Sequence, residues 1–244
     1  MTISIRAKDL VKTYGLNRVV DDVSFAANQG DVVGFLGPNG AGKTTTMRML
    51  TGFLIPDAGS VDICELNLHL KPQQAKSKIG YLPEGAPLYS DMSVIHFLRF
   101  IGAIRRIKSS QLDDQIDKVI ERIQLDSVVD KRIDNLSKGY KRRVGIAQAI
   151  LHDPEILIMD EPTDGLDPTQ KIEVRQLIRD MAKDKVIILS THILEEVEAV
   201  CNRVMIIAGG RLLADQAPGE LMHNHQNSLE LAFLNLTKGQ QART

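Results

Sequence analysis

The chain has 244 residues, enough for one large α/β domain or for a core with a smaller lobe. Its 30 lysines and arginines nearly balance its 31 aspartates and glutamates. This balance gives no reason to expect a polyanion-binding surface, so we predict no nucleic-acid partner. The N-terminal stretch "MTISIRAKDL" lacks the apolar core of a secretion signal. No run reaches the roughly 18 apolar residues that a membrane span needs. Cys64 and Cys201 lie far apart with no ligand-spaced partners, which indicates buried, reduced thiols in a cytoplasmic protein.

The sequence of residues 1–36 predicts β-strands. The stretches "ISIRAKDLVKTYG" and "RVVDDVSFAANQGDVVGFLG" carry the β-branched and aromatic residues typical of strands, and they predict an N-terminal antiparallel β subdomain. A glycine-rich turn follows, and then a helix, "KTTTMRMLTG", that ends at Gly52. "GSVDIC" and "KIGYLP" predict two further short strands.

The pattern changes to helical near residue 91. "SVIHFLRFIGAIRRI" and "SSQLDDQIDKVIERIQL" have helical periodicity, with Ser93 and Ser109 as expected N-caps, so we predict an inserted helical subdomain over about 91–151. After it, the strands "PEILIMDEP" and "KVIILSTH" alternate with the helices "DPTQKIEVRQLIRDMA" and "ILEEVEAV". "NRVMIIAGGRLLAD" predicts a hairpin, and residues 226–244 a short helical tail. The alternation predicts an α/β fold with a mostly parallel sheet.

The strongest chemical signal is "GPNGAGKT", which fits the pattern G-x-x-x-x-G-K-[ST] between an apolar strand and a helix. Backbone amides of such a loop curl around phosphate oxygens at a helix N-terminus. Lys43 can reach the β- and γ-phosphates of a nucleotide, and the Thr44 hydroxyl can bind Mg²⁺. The predicted ATP-binding residues of this P-loop are Gly37, Pro38, Asn39, Gly40, Ala41, Gly42, Lys43, Thr44 and Thr45.

Two carboxylates end the apolar run "ILIMDEP", at Asp160 and Glu161. Ligands bind at this edge of open α/β sheets. We expect Asp160 to join the Mg²⁺ shell and Glu161 to act as the base that polarises an attacking water. His192 ends another predicted strand at the same edge. Its imidazole could contact the γ-phosphate and hold Glu161 in position, although a lone histidine is more often structural.

The helix start in "NLSKGYKRRVGIAQAI" is unusual, because Lys138, Lys141, Arg142 and Arg143 crowd its first turns. Cations at a helix N-terminus cost a few tenths of a kcal/mol each. A bound phosphate would remove that cost, but the molecule's own P-loop already serves one phosphate tail. We therefore expect a second copy to bring Ser137 and the Gly139 amide to the far side of ATP. The alternative is that the basic side chains simply fan into solvent.

The chain carries, in sequence order, the glycine loop, the basic helix start, the two carboxylates and His192. Together these four elements resemble the nucleotide-binding subunit of ABC transporters over roughly residues 3–225. "GPNGAGKTT" is similar to the Walker A loop, "LSKGYKRR" to the family signature, "LIMDEP" to Walker B and "STH" to the switch-histidine segment. The resemblance implies a P-loop NTPase core over 1–225 and a head-to-tail dimer that holds ATP and Mg²⁺. It also makes Tyr14 the adenine-stacking aromatic and Asp167 an inter-subunit loop residue.

Three positions depart from the family pattern. Glu84 stands where many relatives have glutamine, and its carboxylate could reach Mg²⁺ or its water. This feature of "YLPEGAPLY" is similar to a branch that serves ABC-2-type exporters, including the gliding-motility-type ATPases. Lys138 replaces a glycine and Tyr140 a glutamine; Lys138 would bind the γ-phosphate or point outward.

The sequence thus predicts an ATPase subunit, peripheral on the cytoplasmic face of the inner membrane, that powers a separate transmembrane permease. It would dimerise with itself or with a similar ATP-binding subunit. We expect residues 84–89 and the apolar helices after Asp91 to form the permease groove, although some of these side chains must belong to the core. The candidates are Leu88, Tyr89, Met92, Val94, Ile95 and Phe97. The alternatives are an importer subunit, a soluble ABC-type ATPase of translation or DNA repair, and an inactive regulatory module.

Overall fold

Two β-sheets organise residues 3–85 and 87–238, the part of the chain that the computed structural model describes. The strands are β1 (Ile3–Tyr14), β2 (Asn17–Asn28), β3 (Val32–Leu36), β4 (Ala58–Ile63), β5 (Leu66–Asn67), β6 (Ile79–Leu82), β7 (Ile156–Asp160), β8 (Val186–Thr191), β9 (Arg203–Ala208) and β10 (Arg211–Gln216). The helices are α1 (Lys43–Leu50), α2 (Pro72–Ser77), α3 (Val94–Ile104), α4 (Ser109–Ile123), α5 (Lys138–Ile150), α6 (Pro168–Ala182), α7 (Leu194–Val200), α8 (Pro218–His223) and α9 (Leu229–Thr237).

The larger sheet has six strands in the order β10-β9-β3-β8-β7-β6. All its neighbours are parallel except β9 and β10, which form an antiparallel hairpin. The smaller sheet is antiparallel, in the order β2-β1-β4-β5. The prediction of a mostly parallel sheet with an N-terminal antiparallel part and a helical insert is confirmed.

The central strands are buried along their whole length, which is why their sequences are continuously apolar rather than alternating. In β7, Leu157 and Met159 join the apolar core on one face of the sheet. Ile156 and Ile158 join a second core on the opposite face, because successive side chains of a strand point to opposite sides. The sheet is therefore packed on both faces, with α3 to α6 on one and α1 with the smaller sheet on the other.

Helices α3 to α5 lie in the chain between β6 and β7. Ser93 caps α3 as predicted, since its side chain accepts a hydrogen bond from the His96 amide. Ser109 does not cap α4: it is the first helical residue, and Lys108 occupies the capping position without a side-chain bond. The buried face of α4 repeats at the helical spacing and consists of Ile116, Val119, Ile120 and Ile123.

The C-terminal helices pack on the main domain. Leu229 of α9 is buried in an apolar cluster with Val197 of α7 and Leu221 of α8. Residues 239–244 of the predicted tail lie outside the described part. None of the helices in residues 3–85 and 87–238 is long and apolar enough to cross a membrane.

The thiols of Cys64 and Cys201 are free, and both residues are partly rather than fully buried. The expectation of reduced cysteines agrees with the structure, but both residues are less buried than the sequence predicted.

Candidate active site

A glycine-rich turn over residues 37–42 connects the end of β3 to the start of α1. A Cβ atom on Gly37 would lie 2.4 Å from the carbonyl oxygen of Ile207, and one on Gly42 would lie 2.6 Å from that of Val19. Gly42 also has a φ of +101°, in the left-handed region that favours glycine. No side chain caps α1 in the described structure. The start of this helix is therefore open to an anionic ligand.

Lys43 lies folded back on the loop that precedes it. Its Nζ donates to the carbonyl oxygens of Gly37 at 2.7 Å and Pro38 at 3.1 Å, and the residue is 7 % exposed. Burial lowers the pKa of the ammonium group, while the charges of Glu161 and Asp160 oppose that shift. A phosphate group could replace the two carbonyl oxygens as the acceptor for this ammonium.

Asp160 is 1 % exposed at the end of β7. One carboxylate oxygen accepts a hydrogen bond from the Ser190 hydroxyl, and Oδ2 is buried with no hydrogen-bond partner among the described residues. A buried carboxylate oxygen left without a donor is costly unless a cation or another ligand satisfies it. The three predicted Mg²⁺ ligands, Thr44, Glu84 and Asp160, all offer oxygen atoms, which Mg²⁺ prefers, and the first two line the cavity described next.

Glu161 and His192 contact each other at the carboxyl edge of the sheet. The His192 Nδ1 lies 3.0 and 3.1 Å from the two carboxylate oxygens of Glu161. The glutamate side chain is only 12 % exposed, whereas that of the histidine is 51 % exposed. Glu161 has a φ of +49°, which costs a residue with a side chain roughly 1 kcal/mol or more. The backbone is therefore held in an unfavourable conformation at the residue predicted to be the base.

Many of the sequence-predicted groups line one cavity of about 440 Å³, although Gly37, Pro38 and Asp160 are not among its lining residues. Its lining consists of Val19, Asn39, Gly40, Ala41, Gly42, Lys43, Thr44, Thr45, Glu84, Glu161, Asp164 and His192. Sequence reasoning missed Asp164, whose signal was only its position three residues after Glu161. It also missed Ser190, one residue before the end of β8, which binds both Asp160 and the Glu161 amide.

A second cavity of about 440 Å³ adjoins the first, and Glu84, Glu161 and Asp164 line both. Its other lining residues include Lys138, Lys141 and Arg142 of α5. The carboxylates thus lie between the glycine loop and the basic end of α5.

Ser137, Gly139 and Asp167 are not among the residues that line the P-loop cavity. Ser137 caps α5 and accepts a hydrogen bond from the Tyr140 amide at 3.4 Å. Asp167 caps α6 through the Gln170 amide at 2.9 Å, and the Gln170 side chain lies against Gly139. These three residues are close to one another but apart from the nucleotide loop of their own chain.

The four cations at the start of α5 all have partners within the chain. Lys138 lies 3.4 Å from the Asp164 carboxylate, and Lys141 donates to a backbone carbonyl at 3.0 Å. Arg143 pairs with Glu173, and Arg142 is buried among backbone carbonyls. The alternative that these basic side chains fan into solvent is therefore wrong for the two arginines. Lys138 is exposed, as one of its two expectations had it, and it does not line the P-loop cavity.

Tyr14 ends β1 and is 51 % exposed, with the Lys12 ammonium 5.9 Å from its ring centre. It does not line the P-loop cavity. An exposed aromatic ring of this kind remains free to stack on a planar ligand.

The predicted permease groove divides into core and surface residues. Val94 and Phe97 are fully buried, so they belong to the core rather than to a groove. Tyr89 is 52 % exposed and packs edge-on against Phe100 at 5.3 Å. Leu88, Met92 and Ile95 are partly buried against the same core, and Ala86 lies outside the described residues.

The fold and the cavity define a P-loop nucleotide-binding protein of the α/β class. The sequence profile of the ABC transporter family matches residues 20–164. The Nod factor export ATP-binding protein I of Cupriavidus metallidurans is 38 % identical over 223 residues, covering 91 % of this chain and 74 % of the relative. The bacitracin transport ATP-binding protein BcrA of Bacillus licheniformis is also 38 % identical, covering 98 % of this chain and 78 % of the relative. A solved structure described as the ATP-binding subunit of an ABC transporter superposes with a TM-score of 0.86 at 28 % identity, covering 95 % of this chain and 98 % of that one. The chain therefore belongs to the ABC transporter family, as one of its ATP-binding subunits.

Proposed function

We propose that this chain is the ATP-hydrolysing subunit of an ABC-2-type exporter and powers a separate transmembrane permease. The observation that carries the proposal is the single cavity bounded by the glycine loop, Lys43, Glu161 and His192. The names of two relatives, one for Nod factor export and one for bacitracin transport, favour an export system. The chain would work on the cytoplasmic face of the inner membrane. Residues 1–225, with the helical insert at about 91–151, would form the ATP-binding domain, and 226–244 its tail.

The roles of the residues follow from their chemistry. Lys43 binds the β- and γ-phosphates, and the loop from Gly37 to Thr45 supplies backbone amides. Glu161 accepts a proton from the attacking water, and His192, in contact with that carboxylate, holds it toward the γ-phosphate. The exposed ring of Tyr14 stacks on adenine.

Thr44, Asp160 and Glu84 would hold Mg²⁺, and the unsatisfied Oδ2 of Asp160 supports this assignment. The ion would neutralise charge on the phosphate oxygens.

A second ATP-binding chain, identical or similar, would complete each site. Ser137 is exposed and does not line the P-loop cavity of its own chain, so it is available to the nucleotide of a partner. Gly139 is buried against the Gln170 side chain, which would have to move before the Gly139 amide could contact that nucleotide. The α5 N-terminus would then approach the γ-phosphate with its partial positive charge. Asp167, at the start of α6, would lie in the loop between the subunits.

ATP-driven association tests this arrangement. The Glu161→Gln variant should bind ATP and hydrolyse it only at a small residual rate, and light scattering should show a dimer with saturating ATP and Mg²⁺ and a monomer without ATP. Glu155→Gln makes the same change at the opposite end of β7 and should not trap the dimer. Adding Lys43→Ala to Glu161→Gln should abolish the dimer. A Glu161→Gln chain that stays monomeric under all these conditions would contradict the shared site.

Docking on the permease is tested at Tyr89. The Tyr89→Glu variant should no longer bind stripped inner membranes of the source organism, because a carboxylate replaces a half-exposed aromatic ring. Its ATP hydrolysis in solution should equal that of the wild type. If Tyr89→Glu lost both ATP hydrolysis and membrane binding, the result would argue against the groove. If the wild-type chain did not bind these membranes, the result would favour a soluble ATPase.

A further inference from the structure

The guanidinium group of Arg142 lies buried beside the candidate site, and nothing above gives it a role. The residue is on α5 and is 8 % exposed. Its pKa is lowered, chiefly by burial, but arginine keeps its charge in proteins. No carboxylate lies within ion-pair distance of it among the described residues. A buried cation without a paired carboxylate is expensive, so its hydrogen bonds must satisfy it.

Those hydrogen bonds go to four backbone carbonyl groups. Nε donates to Pro162 at 2.9 Å, and Nη2 donates to Asp160 at 2.6 Å and also to Glu161. Nη1 donates to Pro83 at 3.3 Å. One side chain therefore holds three successive carbonyls that start at the last residue of β7, and a fourth one just after β6.

In an extended strand the backbone carbonyls point alternately to opposite sides. Three successive carbonyls of such a strand could not all face one guanidinium group. The turn at Glu161, with its left-handed φ of +49°, makes this convergence possible. The Glu161 amide is held from the other side by the Ser190 carbonyl at 3.1 Å. Arg142 thus stabilises the backbone conformation that directs the Glu161 carboxylate toward His192.

The fourth contact extends this restraint to Glu84. Pro83 directly precedes Glu84, which lines the same cavity as Glu161. Because Arg142 also lies five residues after Ser137, one guanidinium fixes Glu161 and Glu84 relative to the start of α5.

We infer that Arg142 is a positioning residue for ATP hydrolysis, which sets the place of Glu161 without touching the nucleotide. The inference rests on the proposed function, in which Glu161 is the base. A displacement of about 1 Å in a reacting group can cost on the order of a hundredfold in rate. Loss of this restraint should therefore lower kcat and leave ATP binding nearly unchanged.

The test compares variants of the full chain in complex with its permease. Arg142→Met should lower kcat by roughly 10- to 100-fold, with KM for ATP within about threefold of the wild type. Arg142→Lys should lose less, because an ammonium group keeps the charge but reaches fewer of the four carbonyls. Arg105→Met is the matched control: Arg105 is also an arginine that donates to backbone carbonyls, those of Lys76 and Ile79, but at the opposite end of β6. It should keep kcat within about twofold at a comparable loss of thermal stability.

A double variant separates positioning from general damage. If Arg142 acts through Glu161, adding Arg142→Met to Glu161→Gln should not lower the residual single-turnover rate further. The inference would be overturned if the rate losses of the two single variants multiplied in the double variant. It would also be overturned if Arg142→Met changed mainly KM for ATP, or if Arg142→Met and Arg105→Met had equal effects on kcat. If Arg142→Met does not fold, full wild-type kcat in Arg142→Lys would overturn it as well. A wild-type complex that does not hydrolyse ATP would instead refute the proposed function.

Discussion

The His152 side chain should make the stability of this protein fall steeply in mild acid. Its Nε2 lies 3.0 Å from the Ile79 carbonyl oxygen, and its Nδ1 is buried without a hydrogen-bond partner among the described residues. Burial, reinforced by the nearby charge of Arg105, lowers the pKa of the imidazole from 6.5 to about 4. The folded protein therefore binds a proton at His152 less tightly than the unfolded chain does.

The size of the effect follows from that difference. Between pH 6.5 and about 4 the unfolded chain binds more protons at this residue, so the stabilisation present above pH 6.5 is lost as the pH falls. With these two pKa values, His152 alone costs about 2 kcal/mol of folding free energy at pH 5 and about 3 kcal/mol once the folded form is protonated.

Urea denaturation at pH 7.5 and pH 5 measures this effect. The His152→Gln variant keeps an N–H donor for Ile79 but does not titrate, so it should lose about 2 kcal/mol less than the wild type between the two pH values. The slope of free energy against urea must stay constant for the comparison to hold. An equal loss in both proteins would refute the reasoning, since the acid sensitivity would then come from other groups.

Three further predictions concern stability and can be measured by urea denaturation of the nucleotide-free chain. Phe97→Ala should cost about 3–5 kcal/mol, since Phe97 is fully buried in the core; a cost below about 1 kcal/mol would mean that the ring is not a core residue. Gly80→Ala should cost about 3 kcal/mol or more, because the new Cβ would lie 2.2 Å from the backbone oxygen of Ala149; wild-type stability would show that β6 can move away from α5. Asp167→Ala should cost about 1 kcal/mol and Asp167→Asn much less, because only alanine removes the cap of α6; equal costs would contradict the cap.

Much of the fold was predictable because short stretches of sequence are enough to identify many of its strands and helices. The apolar runs of β3, β7 and β8 match fully buried strands, and the spacing in α4 matches a one-sided helix. Boundaries were less certain where two residues of similar chemistry compete. Ser109 and Ser110 both suit a capping position, yet the helix begins at Ser109 and its cap falls on Lys108.

The candidate site was predictable only where a motif holds consecutive residues. Most of the glycine loop, Glu161 and His192 line one cavity, as expected for groups at the carboxyl edge of a parallel sheet. The partners of the two α5 arginines were not predictable, because they come from distant parts of the chain. Arg142 meets Pro83, 59 positions away, and Glu161, 19 positions away. The sequence of a helix shows how many charges it carries, but the partners of those charges depend on the tertiary structure.

The position of β3 in the large sheet has a consequence for synthesis on the ribosome. Its neighbours are β8 and β9, which leave the ribosome only after about 150 more residues have been made. Pairing across such separations is slow, and until then the five residues of β3, which are buried in the folded protein, have no strand beside them. The nascent chain should therefore depend on chaperones until its last third is complete, and truncation before residue 203 should yield aggregates rather than a smaller folded domain.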